Sequence, residues 1–257
     1  MSNKQTTTSN KADQYNDPSH NYQKYWQGRD YEHEAEVLAI KRLLKGKKFK
    51  LAVDIGGGYG RLDPLLAKYA DRVILAEPST QQLNMAETFL KDQPTVNQRL
   101  MQADDLKFES DSVDLAVMVR VMHHLPDPTK AFDEISRVLM PGGSAIIEVA
   151  NYMHAKNRLK HLLKGQRFPK VPVDIRSKNH MKADDIAFVN HNPHTVINQM
   201  AASSLKVDRI LSVSNLRYPS LKKVMPRPVM LAIEGLLQPV LSSSFFGPSI
   251  FFLVHKS

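Results

Sequence analysis

The sequence predicts an α/β protein with a doubly wound, mostly parallel sheet of seven strands. Three observations predict this fold class. Apolar segments alternate with amphipathic ones along the chain, as they do where helices connect parallel strands. The segment 113–119 is apolar almost throughout, which indicates a central strand buried on both faces. Residues 51–61 carry an apolar run directly into a glycine-rich turn, which is typical of a strand that ends at a binding site.

The first part of the chain contains the more regular elements. A helix is predicted over residues 31–44, because its apolar residues recur at helical spacing and Gly46 ends it. Strands are predicted at 49–54, 73–77, 96–101, 113–119 and 144–149. Helices are predicted at 62–69, 81–90 and 129–139, the last with Pro128 at its first turn.

After residue 150 the pattern is less regular. A basic, largely helical segment comes first. It is followed by a helix at 194–203, a strand at 205–213, a helix at 229–237 and a strand at 248–255. We therefore predict a single domain over residues 1–257, with a basic helical cap at 151–192 inserted between strands five and six. The polar residues 1–21 are expected to form a disordered lead-in.

Composition excludes several kinds of site. The chain has no cysteine, so disulfides, thiolate metal sites and cysteine nucleophiles are excluded, and no other metal-ligand pattern is present. The polar N-terminus does not resemble a secretory signal, and we expect a cytoplasmic protein. The uncharged segment 235–254 is long enough to span a bilayer, but Pro239 and Pro248 interrupt it. We interpret it as a helix end, a turn and a buried strand.

Positive charge is concentrated in one segment. Of the formal net charge of +9, nearly all arises between residues 153 and 182. The basic residues there are Lys156, Arg158, Lys160, Lys164, Arg167, Lys170, Arg176, Lys178 and Lys182, opposed only by Asp174. A second basic group is Arg217, Lys222, Lys223 and Arg227. Such runs are either solvated faces or binding surfaces for an anionic partner: an acidic substrate, a phosphate group, RNA or a lipid head group.

The glycine spacing separates two classes of ligand. A dinucleotide fingerprint requires a third glycine at its sixth position, where this chain has Arg61. The pattern is instead Asp54-x-Gly56-x-Gly58-x-Gly60. An acidic residue at the strand tip repels a pyrophosphate and suits a ligand that has an amino group and no phosphate.

This motif resembles that of the class I S-adenosylmethionine-dependent methyltransferases, of the type that acts on small molecules. The resemblance extends well over residues 25–149 and beyond them only in the order of elements. It implies a Rossmann-like fold whose last strand is antiparallel and lies next to the sixth. It also implies S-adenosyl-L-methionine as the cofactor.

The resemblance assigns cofactor-binding roles to several residues. Asp54 is expected to anchor the amino-acid end of the cofactor. The backbone groups of Gly56, Gly57, Gly58 and Gly60 are expected to contact it. Glu77 follows Asp54 by 23 residues at the tip of the second strand, where a carboxylate can accept hydrogen bonds from both ribose hydroxyls. A dinucleotide enzyme would have an acid at the same distance, so Glu77 alone does not discriminate.

Further candidates follow the third and fourth strands. Asp104 is our choice for the adenine amino group, with Gln102 and Asp105 as alternatives. The end of the fourth strand, which carries Arg120, Met122 and His123, is expected near the transferable methyl group. His124 is the candidate general base, since histidine titrates near neutral pH. Alternatively, this histidine pair packs at the turn.

The N-terminal arm combines aromatic residues with arginine. In the family an N-terminal helix often closes over the cofactor. Arg29 is therefore a candidate partner for the cofactor carboxylate, while Tyr25 or Trp26 could line the acceptor pocket. Arg61 is expected to pack on the surface. The alternative for the arm is ordinary anchoring of the first helix in the core.

The function hypothesis is methyl transfer to an unidentified small-molecule acceptor, which is acidic if the basic cap selects it. An RNA methyltransferase that uses the cap is one alternative, disfavoured because no base-flipping motif is present. An NAD-dependent oxidoreductase is a second, against which the glycine spacing argues. A scaffold that binds no cofactor is a third. The sequence does not predict the oligomeric state.

Overall fold

The computed structural model describes residues 26–177, Met181 and 186–257. Seven of its strands form one sheet: β1 (Phe49–Ile55), β2 (Ala70–Glu77), β3 (Val96–Leu100), β4 (Val113–Met118), β5 (Leu139–Ala150), β8 (Leu205–Val213) and β9 (Ser249–Lys256). Their order is β3-β2-β1-β4-β5-β9-β8. Only β9 runs antiparallel to its neighbours β5 and β8. The predicted fold class, including the antiparallel last strand beside the sixth, is confirmed.

Helices cover both faces of the sheet. They are α1 (Asp30–Leu43), α2 (Asp63–Leu66), α3 (Thr80–Phe89), α4 (Thr129–Val138), α5 (Ala155–Lys164), α6 (Pro193–Ala202), α7 (Pro219–Val224) and α8 (Arg227–Val240). The core on one face combines α1 and α8 with β8, and the core on the other combines α4 and α6. Strands β1 and β4 lie between these two layers, so their side chains are buried on both faces, as their apolar sequences predict.

The helix after the glycine loop is shorter than predicted. It covers four residues, whereas the sequence predicts 62–69. The N–H groups of Lys68 and Tyr69 donate to carbonyls three residues earlier, at 3.1 and 2.8 Å, which is a tighter turn than an α-helix makes. This turn places the Tyr69 carbonyl 2.9 Å from the Phe49 N–H and so begins the pairing of β1 with β2.

The described part of the cap contains a short strand ribbon in addition to the predicted helical structure. It consists of α5 and a two-stranded antiparallel ribbon of β6 (Val173–Asp174) and β7 (Val189–Asn190). Gly165 ends α5 with a φ of +60°, in the left-handed region that favours glycine. Lys178 and Lys182, together with Tyr25 and the predicted lead-in 1–21, lie outside the described residues.

No helix within residues 26–177, 181 and 186–257 has both the length and the apolar character needed to cross a membrane. The uncharged segment 235–254 is divided as predicted, because α8 ends at Val240 and β9 begins at Ser249.

Candidate cofactor and acceptor site

The glycine loop joins β1 to α2, and its glycines are needed for two separate reasons. Gly56, Gly58 and Gly60 have φ values of +66°, +62° and +84°, where a residue with a side chain is strained. Gly57 is needed for space. A Cβ atom at this position would lie 2.4 Å from Asp54 Oδ2 and 2.5 Å from Leu75 Cδ1. The loop therefore packs directly against the carboxyl group at the tip of β1.

Two carboxyl groups are buried beneath this loop. Asp54 is 1% exposed and Asp63 is 0% exposed. Among the described residues, Asp54 Oδ2 and the two oxygens of Asp63 have no hydrogen-bond donor other than the facing carboxyl group, with which each can share a proton. Burial raises the pKa of Asp54 to about 7, with Arg61 opposing the rise and Glu77 adding to it. Burial and the neighbouring Asp54 raise the pKa of Asp63 well above its ordinary value. Near neutral pH the pair therefore retains protons.

Glu77 links the glycine loop to the start of α3. One of its carboxylate oxygens accepts from the Gly58 N–H at 2.9 Å, and the other accepts from the Ser79 N–H at 2.9 Å. The Ser79 hydroxyl in turn caps α3 by accepting from the Gln82 N–H at 3.1 Å. Glu77 thus lies at the carboxyl edge of the sheet beside the loop, and its contact with a ribose remains a prediction.

The prediction that Arg61 packs on the surface is wrong. Its side chain is 11% exposed and donates to Glu36 at 2.7 Å. The guanidinium carbon lies 3.7 Å from the centre of the Trp26 ring, and the group also contacts His33. The physical reason is the complete burial of Glu36, because a buried carboxylate requires a cationic partner.

Arg120 shares that carboxylate. Its Nε donates to Glu36 at 2.7 Å, and its backbone N–H donates to Glu148 at 3.0 Å. Its φ of +64° turns the chain sharply after β4. Although burial opposes ionisation of Glu36, Arg120 and Arg61 hold the pKa of that carboxyl below its ordinary value. Sequence reasoning missed Glu36. The sequence signal that could have identified Glu36 is its position between Ala35 and Ala39, on the face of α1 that is buried.

These groups surround one cavity at the carboxyl ends of β1 and β4. The lining residues are Trp26, Asp54, Gly56, Gly57, Gly58, Tyr59, Arg61, Leu62, Val119 and Arg120. The structure thus brings together Asp54, the first three glycines of the predicted loop, Arg120 and Trp26, whereas Gly60 and Glu77 are not among the lining residues. Arg29 lies at the start of α1 and is not among the lining residues.

The adenine candidates lie in an exposed turn after β3. Asp104 and its alternatives Gln102 and Asp105 are all exposed. Asp105 forms an ion pair with Lys107 at 2.5 Å. None of these residues lines the cavity around the glycine loop. The assignment of Asp104 to adenine recognition remains a prediction.

The histidine pair lies on a 3-10 turn, Met122–His124, directly after β4. His124 Nδ1 is 2.9 Å from the Ala187 carbonyl oxygen, which can only accept, so Nδ1 donates. Both imidazoles pack against Phe188, with ring centres 4.4 Å from His123 and 5.6 Å from His124. Burial, assisted by His124, lowers the pKa of His123 well below its ordinary value, so that His123 stays neutral. Of the two, His124 remains the candidate base.

Within the described part of the chain, no group of three or more His, Asp and Glu side chains could hold a metal ion. The site instead combines a buried carboxyl group, a loop of backbone donors and acceptors, and the guanidinium groups of Arg61 and Arg120. Such a set can receive an amino acid moiety, with its ammonium group near Asp54 and its carboxylate near an arginine.

The part of the chain that contains the glycine loop is similar to known proteins. Residues 53–147 match the family described as Methyltransferase domain. An uncharacterized methyltransferase of Schizosaccharomyces pombe is 31% identical over 130 residues, which cover 47% of this chain and 47% of that protein. The ubiquinone biosynthesis O-methyltransferase of Colwellia psychrerythraea is 25% identical over 177 residues, covering 62% of this chain and 71% of that protein.

Solved structures extend the likeness to most of the chain. A Thermotoga maritima SAM-dependent methyltransferase, described as a possible histamine N-methyltransferase, has a TM-score of 0.64 at 20% identity. The match covers 92% of this chain and 94% of that one. The [4+2]-cyclase SpnF has a TM-score of 0.56 at 14% identity, over 88% of this chain and 81% of that one. Likeness at these identities shows the fold, and the fold supports more than one reaction.

The matched region is a limited part of the curated relatives. The match covers 36% of one relative, from Dictyostelium discoideum, and 47% of the Schizosaccharomyces pombe protein.

Proposed function

We propose that the chain is a class I S-adenosylmethionine-dependent methyltransferase and that it methylates a small-molecule acceptor. The observation that carries the proposal is the carboxyl group of Asp54. It is buried at the tip of β1, one of its oxygens has no donor among the described residues other than the Asp63 carboxyl group, and the adjacent Gly57 leaves no room for a Cβ atom. This arrangement suits a ligand that brings its own ammonium group.

The donor set fits the cofactor. Asp54 would hold the ammonium group, and the loop Gly56–Gly60 would contribute backbone donors and acceptors. Arg120 and Arg61, both held by Glu36, would face the carboxylate. Glu77 would accept hydrogen bonds from the ribose hydroxyls. When bound, S-adenosylmethionine supplies an electrophilic methyl group on a positively charged sulfur.

The protein's own contribution is to position the reactants and exclude water. Trp26 and Tyr59, both buried, would cover the loop. If the acceptor is a hydroxyl group, His124 would receive its proton, and the donation from Nδ1 to Ala187 fixes the orientation of the imidazole. The names of the Colwellia and Thermotoga relatives refer to small molecules, which supports an acceptor of that class.

The first test is titration calorimetry with S-adenosylhomocysteine at about pH 6 and about pH 8. The pKa of Asp54 in the ligand-free protein is about 7, and an ammonium group favours its ionised form. Affinity is therefore expected to rise with pH through neutrality. At the lower pH, binding should release a proton, which makes the measured heat depend on the buffer.

The matched variant is Asp54→Asn, which keeps the size of the side chain. We expect its affinity to fall at least about tenfold at the higher pH and to lose most of its pH dependence. A parallel titration with NADH tests the oxidoreductase alternative. Binding of NADH without S-adenosylhomocysteine would refute the assignment, and so would unchanged affinity in the variant.

We further propose that the acceptor is anionic and is recognised by arginines at the edge of the site. Arg217, between β8 and α7, is exposed, and Arg120 and Arg29 are close enough for their charges to act on it; partial desolvation and the charge of Arg120 lower its pKa. Glu32 offsets part of this charge, but it is paired with Lys222 at 2.6 Å. Lys160, on α5 of the cap, is also exposed.

This proposal is tested by methyl transfer to a panel of small carboxylic acids and the corresponding amides. The acids are expected to be the better acceptors. Arg217→Gln should raise KM for an acid at least about tenfold, because a charge-assisted hydrogen bond is lost.

With a hydroxyl acceptor, His124→Gln should lower kcat by at least about a hundredfold and leave the affinity for S-adenosylhomocysteine unchanged.

Lys160→Gln serves as the matched control and should leave the KM of a soluble acid unchanged. A preference for the amides would contradict an anionic acceptor, and so would equal effects of Arg217→Gln and Lys160→Gln. Methyl transfer at the wild-type rate by His124→Gln would exclude His124 as the base.

A further inference from the structure

One face of helix α5 of the cap contacts the residues that flank the helix in sequence. His161 is 8% exposed and stacks on Phe168, with the ring centres 4.5 Å apart. Arg158 Nε donates to the Met153 carbonyl at 2.7 Å, and Asn157 Nδ2 donates to the Tyr152 carbonyl at 2.8 Å. These contacts cover one face of α5, and the exposed side chains of the helix lie on its remaining face.

That outward face carries leucines. Leu159, Leu162 and Leu163 are 59%, 79% and 79% exposed. Their spacing of three and four residues puts them on one side of the helix. Single exposed apolar residues are ordinary on a protein surface, but three leucines on one helical turn form a contiguous patch. Val171 and Ile175, which follow α5 in the cap, are also exposed, at 68% and 47%.

A row of lysines adjoins the leucines. Lys156, Lys160 and Lys164 recur every four residues, so they form a line along α5 between the leucines and the face that contacts the flanking residues. All three are exposed. The helix contains no acidic residue, and Arg167 and Lys170 continue the positive charge beyond its end. An apolar stripe beside an uninterrupted cationic stripe is complementary to a surface that has an apolar layer next to an anionic layer.

We propose that α5 docks on the surface of an anionic lipid bilayer. The leucines would enter the boundary between head groups and acyl chains, and the lysines would contact the lipid phosphates. RNA would satisfy the lysines but offers no apolar layer for the leucines. The helix has ten residues, so it lies on the bilayer and does not cross it.

The location of α5 gives the docking a consequence. The helix follows β5 at the same edge of the sheet where β1 and β4 end at the cofactor cavity, and its first N–H donates to the Phe246 carbonyl at 2.9 Å. Docking would therefore bring that edge close to the lipid surface. The proposal goes beyond the methyltransferase function and does not depend on it.

The test is sedimentation of the full chain, without cofactor, with vesicles of phosphatidylcholine alone or mixed with phosphatidylglycerol. We expect binding to the mixed vesicles only, weakened by salt. Replacing the three leucines together (Leu159→Ser, Leu162→Ser, Leu163→Ser) should lower the binding at least about tenfold. Replacing the three lysines by glutamine should also lower it and remove the salt dependence. All of these side chains are exposed, so the variants are expected to fold, which circular dichroism checks.

The matched control replaces two equally exposed apolar residues of α8, Leu236→Ser and Val240→Ser, which are 72% and 71% exposed in the wild type. It should bind the mixed vesicles like the wild type. The proposal is overturned if the wild type does not bind them, if the leucine variant binds as well as the wild type, or if the control variant loses binding equally. Binding to an RNA oligonucleotide that needs the lysines but not the leucines, with no vesicle binding, would assign this face to nucleic acid.

Discussion

The site is built around buried carboxyl groups whose hydrogen-bonding capacity the surrounding residues do not fully satisfy. Asp54 and Asp63 are buried, and three of their four oxygens have no hydrogen-bond partner among the described residues except the other carboxyl group of the pair. Such groups cost stability, which favours a role in binding over a role in folding. Glu36 is the opposite case, because Arg61 and Arg120 neutralise it within the protein.

Gly57→Ala tests the close packing of the loop on Asp54. The new Cβ atom would lie 2.4 Å from Asp54 Oδ2, and Gly57 is not among the glycines with positive φ, so the variant introduces crowding without backbone strain. We expect at least about tenfold weaker binding of S-adenosylhomocysteine and a loss of stability of about 1–3 kcal/mol. Calorimetry and thermal unfolding measure the two effects.

Gly235→Ala is the control for that substitution. Gly235 lies within α8, and its added Cβ atom would meet the flexible ends of Leu38, at 3.3 Å, and Arg42, at 4.0 Å. Because alanine is favoured over glycine in a helix by about 0.5–1 kcal/mol, this variant should be as stable as the wild type or slightly more so. Equal losses of stability in Gly57→Ala and Gly235→Ala would show that crowding against Asp54 is not the cause of the loss.

At the scale of elements, a buried hydrogen-bond network attaches α1 to α8. Tyr31 donates to Glu234 at 2.7 Å, and Glu234 also accepts from the backbone N–H groups of Ser214 and Asn215 at 2.8 and 3.0 Å. The Leu216 N–H donates back to the Tyr31 hydroxyl at 3.0 Å. The network holds α1, which carries Glu36, against the end of β8.

Tyr31→Phe removes one donor to Glu234 and the acceptor of the Leu216 N–H. Because both partners are buried or partly buried, we expect the free energy of unfolding to fall by about 1–3 kcal/mol. Urea denaturation measures it. Tyr218→Phe, at a tyrosine that is 45% exposed, should change the same quantity by less than about 0.5 kcal/mol. Similar losses in the two variants would show that the network does not attach α1.

At the scale of the whole molecule, the buried carboxyl pair makes stability depend on pH. The folded-state pKa of Asp63 is raised well above its ordinary value, so the folded form holds a proton that the unfolded form releases. The stability contributed by this proton is present below the unfolded pKa, about 3.9, and is lost as the pH rises through the folded pKa.

Asp63→Asn cannot ionise in either state, and it supplies an amide donor. Its Tm relative to the wild type is therefore expected to rise between about pH 4 and about pH 8, with a gain on the order of 1–3 kcal/mol at the higher pH. Asp92→Asn, at an exposed position, should show a difference from the wild type that does not change with pH. A constant difference for Asp63→Asn would contradict an ionisation penalty.

Local sequence determined most of the elements and the centre of the site. Strand 205–213 has the bounds that the pattern predicts, and the other strands of the sheet agree apart from their ends. The glycine loop and its acid are a local motif, so spacing alone places them between β1 and α2. The short helix α7 and the ribbon β6–β7 were not predicted, because neither has enough residues to show a period.

Only the tertiary structure decided which side chains meet. Arg120 reaches Glu36 across 84 positions of the chain, and Tyr31 reaches Glu234 across 203, and no periodicity encodes such pairs. Arg61 does not lie on the surface as predicted, because the buried carboxylate of Glu36 requires a cationic partner. The sequence by itself thus determined the fold class and the motif, since backbone preference and apolar period act over a few residues. Burial depends on contacts between distant parts of the chain, and it decided which charged side chains pair with each other in the site.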